Sequence, residues 1–155
     1  MTVACFLDTN ILIYAASQNP NETRKKTIAV DLLRNAEFGL SAQVLQEFYV
    51  VATRKAEVPL KPAVALDWIE QLEVFPCAEI SPALVKLGAV ISERYQVSYW
   101  DGAILAAAES LGAPVVYTED LNNGQSYGAV RAVNPFVEGA IAGGLHEPDR
   151  PFARD

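Results

Sequence analysis

The sequence predicts an α/β fold built on a parallel sheet. Residues 3–7 form an apolar run that is too short for a buried helix and is typical of an inner strand buried on both faces. Residues 115–117 form a second short run of apolar, β-favouring residues. Acidic residues follow both runs, and the carboxyl ends of parallel strands open on one edge of the sheet. We therefore expect functional side chains at that edge.

The composition predicts a single domain in a reducing compartment. The chain has 155 residues, 51% of them hydrophobic, which is ample for one core. Cys5 and Cys77 lack the spacing of a zinc site or a disulfide framework, so we expect free thiols. The N-terminus lacks a secretory pattern, and no apolar run reaches the length of a membrane helix. We expect a cytoplasmic protein that does not enter a membrane.

The charge balance limits how the protein can bind a nucleic acid. Lys and Arg number 12 against 19 Asp and Glu, for a net charge of -7. An acidic chain does not present a broad phosphate-binding surface, so RNA binding would need a local basic patch and bound cations. Solvated helix faces are the alternative explanation for every basic candidate. The candidates are Arg24, Lys25, Lys26, Arg34, Arg54, Lys55 and Lys61.

Apolar spacing divides the first half of the chain into helices and short strands. Helices are predicted where apolar residues recur with a period near 3.6 or where a proline suits a first helical turn. Strands are predicted where short β-favouring runs lie between them. The expected order is strand 3–7, helix 11–16, helix 23–37, strand 38–41, helix 42–54, helix 62–72 and strand 74–80.

The second half of the chain predicts two helices, two strands and a tail. Serine and proline residues mark the helix starts, and a glycine followed by a proline marks the end of the second helix. Glycine, proline and mixed charges near the C-terminus predict a partly mobile segment. The expected order is helix 82–96, a helix from Ser98 to Gly112, strand 115–117, polar loop 121–128 and edge strand 129–133, with the folded domain at 1–137 and the tail at 138–155.

Asp8 lies directly after the first strand, where it has two possible roles. A carboxylate beyond the carboxyl end of an inner strand is placed for chemistry. Asp8, Thr9 or Asn10 can instead cap the helix that follows. The residues themselves favour neither role.

Three further acidic residues have similar alternatives. Glu47 lies at the margin of the apolar face of helix 42–54, so periodicity leaves its direction open. Asp101 heads an apolar stripe, but Ser98-x-x-Asp101 also resembles a capping box. Asp120 follows strand 115–117, whereas the side chain of the adjacent Glu119 should point away. Carboxylates that converge without a basic partner repel one another unless a cation neutralises them, and Mg²⁺ or Mn²⁺ prefers such oxygen ligands. Metal-assisted phosphodiester hydrolysis is therefore the leading reaction class.

Four sequence motifs resemble the PIN domain family, specifically VapC-type ribonuclease toxins of bacterial toxin–antitoxin pairs. They are F-L-D-T-N at 6–10, S-A-Q-V-L-Q-E-F at 41–48, Y-W-D at 99–101 and Y-T-E-D at 117–120, followed by N-P-F at 134–136. The resemblance implies a single PIN-like domain with a central parallel sheet flanked by helices. Gly102 departs from the family, which often has Ala there, and the segment after Phe136 is longer than the family leads us to expect.

The resemblance also implies a function and a site. It implies a metal-dependent endoribonuclease toxin with an RNA substrate, a protein antitoxin as partner and a homodimeric state. Asp8 and Asp101 would ligate Mg²⁺ or Mn²⁺ directly, and Glu47 and Asp120 would do so directly or through water. Hydroxyl groups could orient carboxylates or water, although each is also a common cap or turn residue. These hydroxyl residues are Thr9, Ser41 and Thr118.

Three other functions compete with this interpretation. A PIN domain without nuclease activity could serve as an RNA- or protein-binding module. A serine hydrolase would use the G-x-S-x-G match at 124–128, but Ser126 lacks the preceding strand and following helix, and its only possible base is His146 in the tail. A phosphoacceptor receiver domain would need a late lysine, and the last lysine is Lys86.

Overall fold

The computed structural model describes residues 2–138, which form a sheet flanked by helices. Predicted helices 62–72 and 82–96 are found almost at their expected bounds, and Pro62 and Pro82 occupy the first helical turn. The predicted tail lies outside the described residues, apart from residue 138. The strands are β1 Cys5–Leu7, β2 Phe38–Ser41, β3 Cys77–Ala78, β4 Val115–Tyr117, β5 Ser126–Tyr127 and β6 Val130–Val133. The helices are α1 Thr9–Ala16, α2 Thr23–Asn35, α3 Ala42–Val50, α4 Pro62–Leu72, α5 Pro82–Tyr95 and α6 Tyr99–Ser110.

Two predicted elements differ most from their expected extent, whereas most of the others shift by one or two residues at an end. The strand predicted at 74–80 is reduced to two residues, and Val74, Phe75 and Ile80 are exposed. The helix predicted at 42–54 is α-helical only as far as Val50, and a π-helical turn then spans Val51–Lys55. None of the helices within residues 2–138 is long and apolar enough to span a bilayer.

The six strands lie in the order β3-β2-β1-β4-β6-β5. All neighbouring pairs are parallel except β5 and β6, which are antiparallel. The predicted parallel sheet is therefore confirmed, with one antiparallel strand added. Residues 129–133 were expected at the edge, but β6 pairs with β4 on one side and β5 on the other. The edge is formed by β5, inside the predicted polar loop, because Gly128 adopts φ +68° and turns the chain back.

The core is centred on β1 and its neighbours. Phe6, Leu7, Leu40 and Val116 come from the three central strands and are fully buried. Their burial on both faces accounts for the continuous apolar runs in the sequence. Because β1 and β4 are adjacent and parallel, Asp8 and the residues after Tyr117 leave the sheet at the same edge.

Helices α5 and α6 cross so closely that the crossing leaves no room for a side chain at Gly102. A Cβ on Gly102 would overlap the carbonyl oxygen of Gly88 and lie 2.9 Å from the backbone nitrogen of Ser92. We expect Gly102→Ala to destabilise the fold by about 1–3 kcal/mol, because the helices would have to separate. Thermal melts measure this cost, and a melting temperature equal to that of the wild type would contradict the close crossing. The crossing also gives a reason for the departure from the alanine common in the family.

Candidate active site

Asp8 caps helix α1 and is held at the end of β1. It is 4% exposed, and its Oδ1 accepts a hydrogen bond of 2.7 Å from the backbone N–H of Thr9. Its Oδ2 accepts a hydrogen bond of 2.7 Å from the hydroxyl of Thr118, the residue after β4. The predicted cap therefore exists. It leaves the functional role open, because the same contacts hold the carboxylate rigidly at the edge of the sheet.

Burial sets the ionisation of Asp8. Desolvation raises the pKa of its carboxyl group to about 7, against the lowering effect of the hydrogen bonds from Thr118 and Thr9. Asp120 and Glu47 raise the pKa further, because their negative charges disfavour a third. An added positive charge would therefore stabilise the ionised form of Asp8.

Glu47 is held by two hydrogen bonds. The hydroxyl of Thr9 donates to its Oε1 at 2.7 Å, and the side-chain amide of Gln43 donates to its Oε2 at 3.3 Å. The same Gln43 nitrogen lies 3.3 Å from the carbonyl oxygen of Trp100, which it also contacts as a donor. Gln43 therefore links α3 to the first turn of α6, and both oxygens of Glu47 are held.

Asp120 is exposed and is held from two sides. Its backbone N–H donates to the Thr118 hydroxyl at 3.0 Å, and the amide of Asn10 donates to its Oδ2 at 3.2 Å. The other amide atom, Asn10 Oδ1, is buried without a hydrogen-bond partner among the described residues. Thr118 thus connects Asp8 with Asp120, since it donates to the first and accepts from the second.

Asp101 lies in the first turn of α6. Its backbone N–H donates to the Ser98 hydroxyl at 3.0 Å, so the predicted N-cap at Ser98 is present. Desolvation raises the pKa of the Asp101 carboxyl group, a hydrogen bond with Ser98 lowers it, and the charges of Asp120 and Glu47 raise it again. Asp101 therefore shares an electrostatic environment with the carboxylates of the other elements.

The remaining predicted hydroxyl and the neighbouring acid make other contacts. Ser41 is buried, and its hydroxyl accepts a hydrogen bond of 3.2 Å from the N–H of Val44, which caps α3. Glu119 is turned to Lys25, with 2.9 Å between Oε2 and Nζ, and accepts a hydrogen bond of 2.6 Å from the Tyr14 hydroxyl. Glu119 thus belongs to an ion pair rather than to the contacts around Asp8.

Sequence reasoning did not assign Asn10 and Gln43 to the site. Asn10 was considered only as a cap, although it follows Asp8 by two residues in D-T-N. Gln43 precedes Glu47 by one helical turn, and this i, i+4 spacing was the signal that could have identified it. Each binds a predicted carboxylate through a side-chain amide, and such contacts are not specified by sequence motifs alone.

The oxygen atoms near Asp8 are of the kind that a hard divalent cation prefers as ligands. Within residues 2–138, no group of three or more Asp, Glu, His or Cys side chains is arranged closely enough to hold a metal ion. The nearby donors are nevertheless carboxylate and amide oxygens, which Mg²⁺ and Mn²⁺ prefer, and they include the unpartnered Asn10 Oδ1. The assignment of metal ligands therefore remains a prediction, and the oxygen atoms available nearby are consistent with it.

Comparison with known proteins identifies the fold. VapC20 of Mycobacterium tuberculosis, described as a sarcin-ricin loop cleaving toxin, is 18% identical, with a TM-score of 0.61 over 76% of this chain and 91% of that chain. A toxin–antitoxin complex from Klebsiella pneumoniae is 20% identical, with a TM-score of 0.63 over 84% of this chain and 97% of that chain. DNA-bound VapBC from Salmonella typhimurium is 21% identical, with a TM-score of 0.58 over 86% and 99%. No curated protein sequence matched.

The family model extends the structural similarity to the sequence. It matches residues 5–123, which include β1, β4 and all six helices. The four acidic residues predicted from the sequence lie within this range. The chain belongs to the PIN domain family.

Proposed function

We propose that this protein is a Mg²⁺- or Mn²⁺-dependent endoribonuclease and the toxin of a type II toxin–antitoxin module. The observation that carries this proposal is that Glu47 and Asp120, from distant parts of the chain, both raise the pKa of Asp8 and that of Asp101 through their negative charges. Among the described residues, none of the four forms an ion pair with a basic side chain. Such an uncompensated acidic set suits a divalent cation.

In this proposal the four acidic side chains would hold the cation, and neighbouring polar side chains fix three of them in place. Asp8 and Asp101 would bind the cation directly, and Glu47 and Asp120 would bind it directly or through water. Thr118 and Thr9 fix Asp8 and Glu47 through hydrogen bonds of 2.7 Å, and Asn10 holds Asp120. A bound cation would lower the pKa of a water molecule for attack on a phosphodiester and stabilise negative charge on the phosphate oxygens.

The family and the structurally similar proteins support a role in a toxin–antitoxin module. The similar structures are a toxin that cleaves the sarcin-ricin loop and toxin–antitoxin complexes. We infer RNA as the substrate, a cognate antitoxin as partner, a homodimeric state and action in the cytoplasm. A small reading frame directly upstream that encodes a DNA-binding protein would support the module, and light scattering of the purified protein tests the dimer.

Cleavage of RNA by pure protein tests the activity. Total RNA is incubated with the protein and Mn²⁺ or Mg²⁺, and a parallel reaction contains a chelator. We expect discrete fragments only in the presence of metal. RNA binding without cleavage in either metal would contradict the proposal and indicate a PIN domain that acts as a binding module.

Without metal, ionisation of Asp8 should lower the stability of the fold by an amount that depends on pH. The pKa of Asp8 is raised to about 7 from an ordinary value of 3.8, so its neutral form is favoured by folding. The stability that the neutral carboxyl group contributes is fully present below pH 3.8 and is lost as the pH rises through about 7. In chelator, the stability of Asp8→Asn relative to wild type should therefore increase between about pH 4 and pH 7. Thermal melts across this range measure the difference.

Adding metal should restore the stability that is lost when Asp8 ionises. At about a hundred times its dissociation constant, Mn²⁺ should stabilise the wild type by roughly 2.7 kcal/mol, provided that the unfolded chain binds none. Asp8→Asn should respond less, because one ligand has lost its charge. A wild type whose melting temperature ignores Mn²⁺ and Mg²⁺ would contradict the metal site.

A further inference from the structure

A groove lined chiefly by α1 and α3 opens beside the acidic residues. Its volume is about 640 Å³, which is in the range of sites that hold small ligands. Trp100 and Val50 line the groove, and their side chains are 63% and 47% exposed. Large exposed apolar side chains gathered in one groove mark a binding surface, because covering them removes apolar area from water.

The groove is acidic as well as apolar. Glu22, Glu47 and Asp120 line it, and Lys55 is the one lysine or arginine among the described residues that do so. Carboxylates attract positive charge and repel phosphate groups. The occupant that fits this groove is therefore apolar and positively charged.

Two of these carboxylates lie at opposite ends of α1. Asp120 accepts a hydrogen bond of 3.2 Å from the side-chain amide of Asn10, in the first turn. Glu22 accepts one of 2.5 Å from the hydroxyl of Ser17, which follows the last turn. The helix rises roughly 10 Å between Asn10 and Ser17, and Ile13 lines the groove between them. The groove therefore suits two positive charges at about this separation with an apolar group between them.

The sequence R-P-F-A-R at 150–154 has this pattern. In an extended chain, residues two apart point to the same side, so Arg150, Phe152 and Arg154 share one face. Pro151 favours an extended conformation, because it fixes its own φ and disfavours a helical residue before it. At about 3.3 Å per residue the two arginines are roughly 13 Å apart, and their long side chains can take up the small difference from the span along α1.

The acidic residues beside this segment do not oppose its binding. Asp149 and Asp155 occupy the alternate positions of the pattern, so in an extended chain they would point away from the face that carries Phe152. The face toward the groove would then carry two positive charges and no negative one.

The described part of the chain ends near the groove. The ring of Phe136 packs against that of Tyr14, with 5.0 Å between the ring centroids, and Tyr14 lines the groove. Arg24 also donates a hydrogen bond of 2.8 Å to the carbonyl oxygen of Phe136. The chain from Phe136 to Arg150 can extend roughly 45 Å at most, which is several times the length of α1. Residues 150–154 can therefore reach the groove of their own chain.

We propose that residues 150–154 bind in this groove of their own chain and block the proposed active site. Phe152 packs against Trp100, and Arg150 and Arg154 pair with carboxylates at the two ends of α1. Arginine suits this role, since a guanidinium group can bond a carboxylate through two parallel N–H groups.

Occupation of the groove would exclude a substrate from the acidic residues. Glu47 and Asp120 belong both to the groove and to the proposed active site. That the bound segment inhibits RNA cleavage rests on the proposed function, whereas its binding in the groove does not.

Quenching of tryptophan fluorescence tests the binding without reference to activity. The full chain contains two tryptophans, so Trp68→Phe leaves Trp100 as the reporter. In this background the segment should shield Trp100 from acrylamide. The quenching constant should therefore rise when Phe152→Ala is added, and also when Arg150→Ala and Arg154→Ala are added together.

Two matched variants control for substitution as such. Leu66 and Arg94 are exposed on α4 and α5 and lie outside the groove. Leu66→Ala and Arg94→Ala should leave the quenching constant of Trp100 unchanged.

Binding of a labelled peptide is a second measurement, which keeps Trp68 in place. The probe is a fluorescein-labelled, C-terminally amidated R-P-F-A-R peptide, measured by anisotropy against the Phe152→Ala chain. Replacing the phenylalanine of the peptide by alanine should weaken binding roughly 10- to 100-fold. Glu22→Gln in the protein should weaken it roughly 1.5- to 5-fold. A peptide of the same five residues with its arginines adjacent should bind more weakly, because the spacing is lost.

The outcomes identify the occupant of the groove. If Phe152→Ala leaves the quenching of Trp100 unchanged and the reordered peptide binds as well as R-P-F-A-R, the inference is overturned. Shielding that increases with protein concentration indicates the segment of a second copy and overturns binding within one chain. Shielding that appears only when a cognate antitoxin is added indicates a partner protein and also overturns the inference.

RNA cleavage separates this inference from the proposed function. If the protein is a nuclease, Phe152→Ala should cleave RNA faster than the wild type, and an equal rate would overturn the inhibition. If Trp100 loses its shielding in Phe152→Ala as expected but no variant cleaves RNA, the segment binds in the groove and the nuclease proposal fails.

Discussion

Replacing Asp8 by Asn should abolish RNA cleavage and relieve any growth arrest that the protein causes when it is expressed without its partner. The amide keeps the shape of the side chain and can still accept a hydrogen bond from the N–H of Thr9, so α1 remains capped. What is lost is the negative charge that holds the proposed cation. Loss of several kcal/mol of metal-based stabilisation lowers the rate by roughly 100-fold or more.

The experiment compares cleavage rates of purified wild type and Asp8→Asn at saturating Mn²⁺, together with growth after induction. Asp67→Asn is a suitable control, because Asp67 is an exposed carboxylate on α4 that accepts a hydrogen bond from the side-chain amide of Gln71, one turn away. It should cleave RNA at the wild-type rate. An Asp8→Asn protein that is equally abundant and still toxic would count heavily against the mechanism.

Asp101→Asn should cause a comparable loss of cleavage, and this result separates a metal ligand from a helix cap. The cap bond at the start of α6 runs from the backbone N–H of Asp101 to the Ser98 hydroxyl, so the substitution leaves it in place. A purely capping role therefore predicts nearly unchanged activity. The proposed role predicts a loss of roughly 100-fold or more, because the negative charge is removed.

Ser98→Ala provides the reciprocal variant. It removes the hydroxyl that caps α6 and should lower the free energy of unfolding by about 1 kcal/mol. Its cleavage rate at a temperature where it remains folded should stay close to that of the wild type. If Ser98→Ala is inactive while Asp101→Asn is active, the start of α6 has a structural role and Asp101 is not a ligand.

Much of the fold was determined by local sequence. The strand at residues 115–117 and the helix over residues 62–72 have the predicted bounds, since short β-favouring runs and first-turn prolines act over a few residues. The positions of Asp8 and Asp120 beyond adjacent parallel strands follow from the same runs. The sheet edge was predicted wrongly, because the pairing of β5 with β6 depends on a turn at Gly128 that polar composition does not reveal.

By itself, the sequence determined which carboxylates are available and which elements carry them. Only the tertiary structure decided the direction of Glu47, because the hydroxyl that holds it belongs to Thr9, on another helix. The bond between Asn10 and Asp120 likewise joins two distant parts of the chain. Hydrophobic periodicity indicates only which face of its own helix a residue lies on. A hydrogen bond between elements depends on how the sheet brings those elements together, and that arrangement is a property of the whole packed domain.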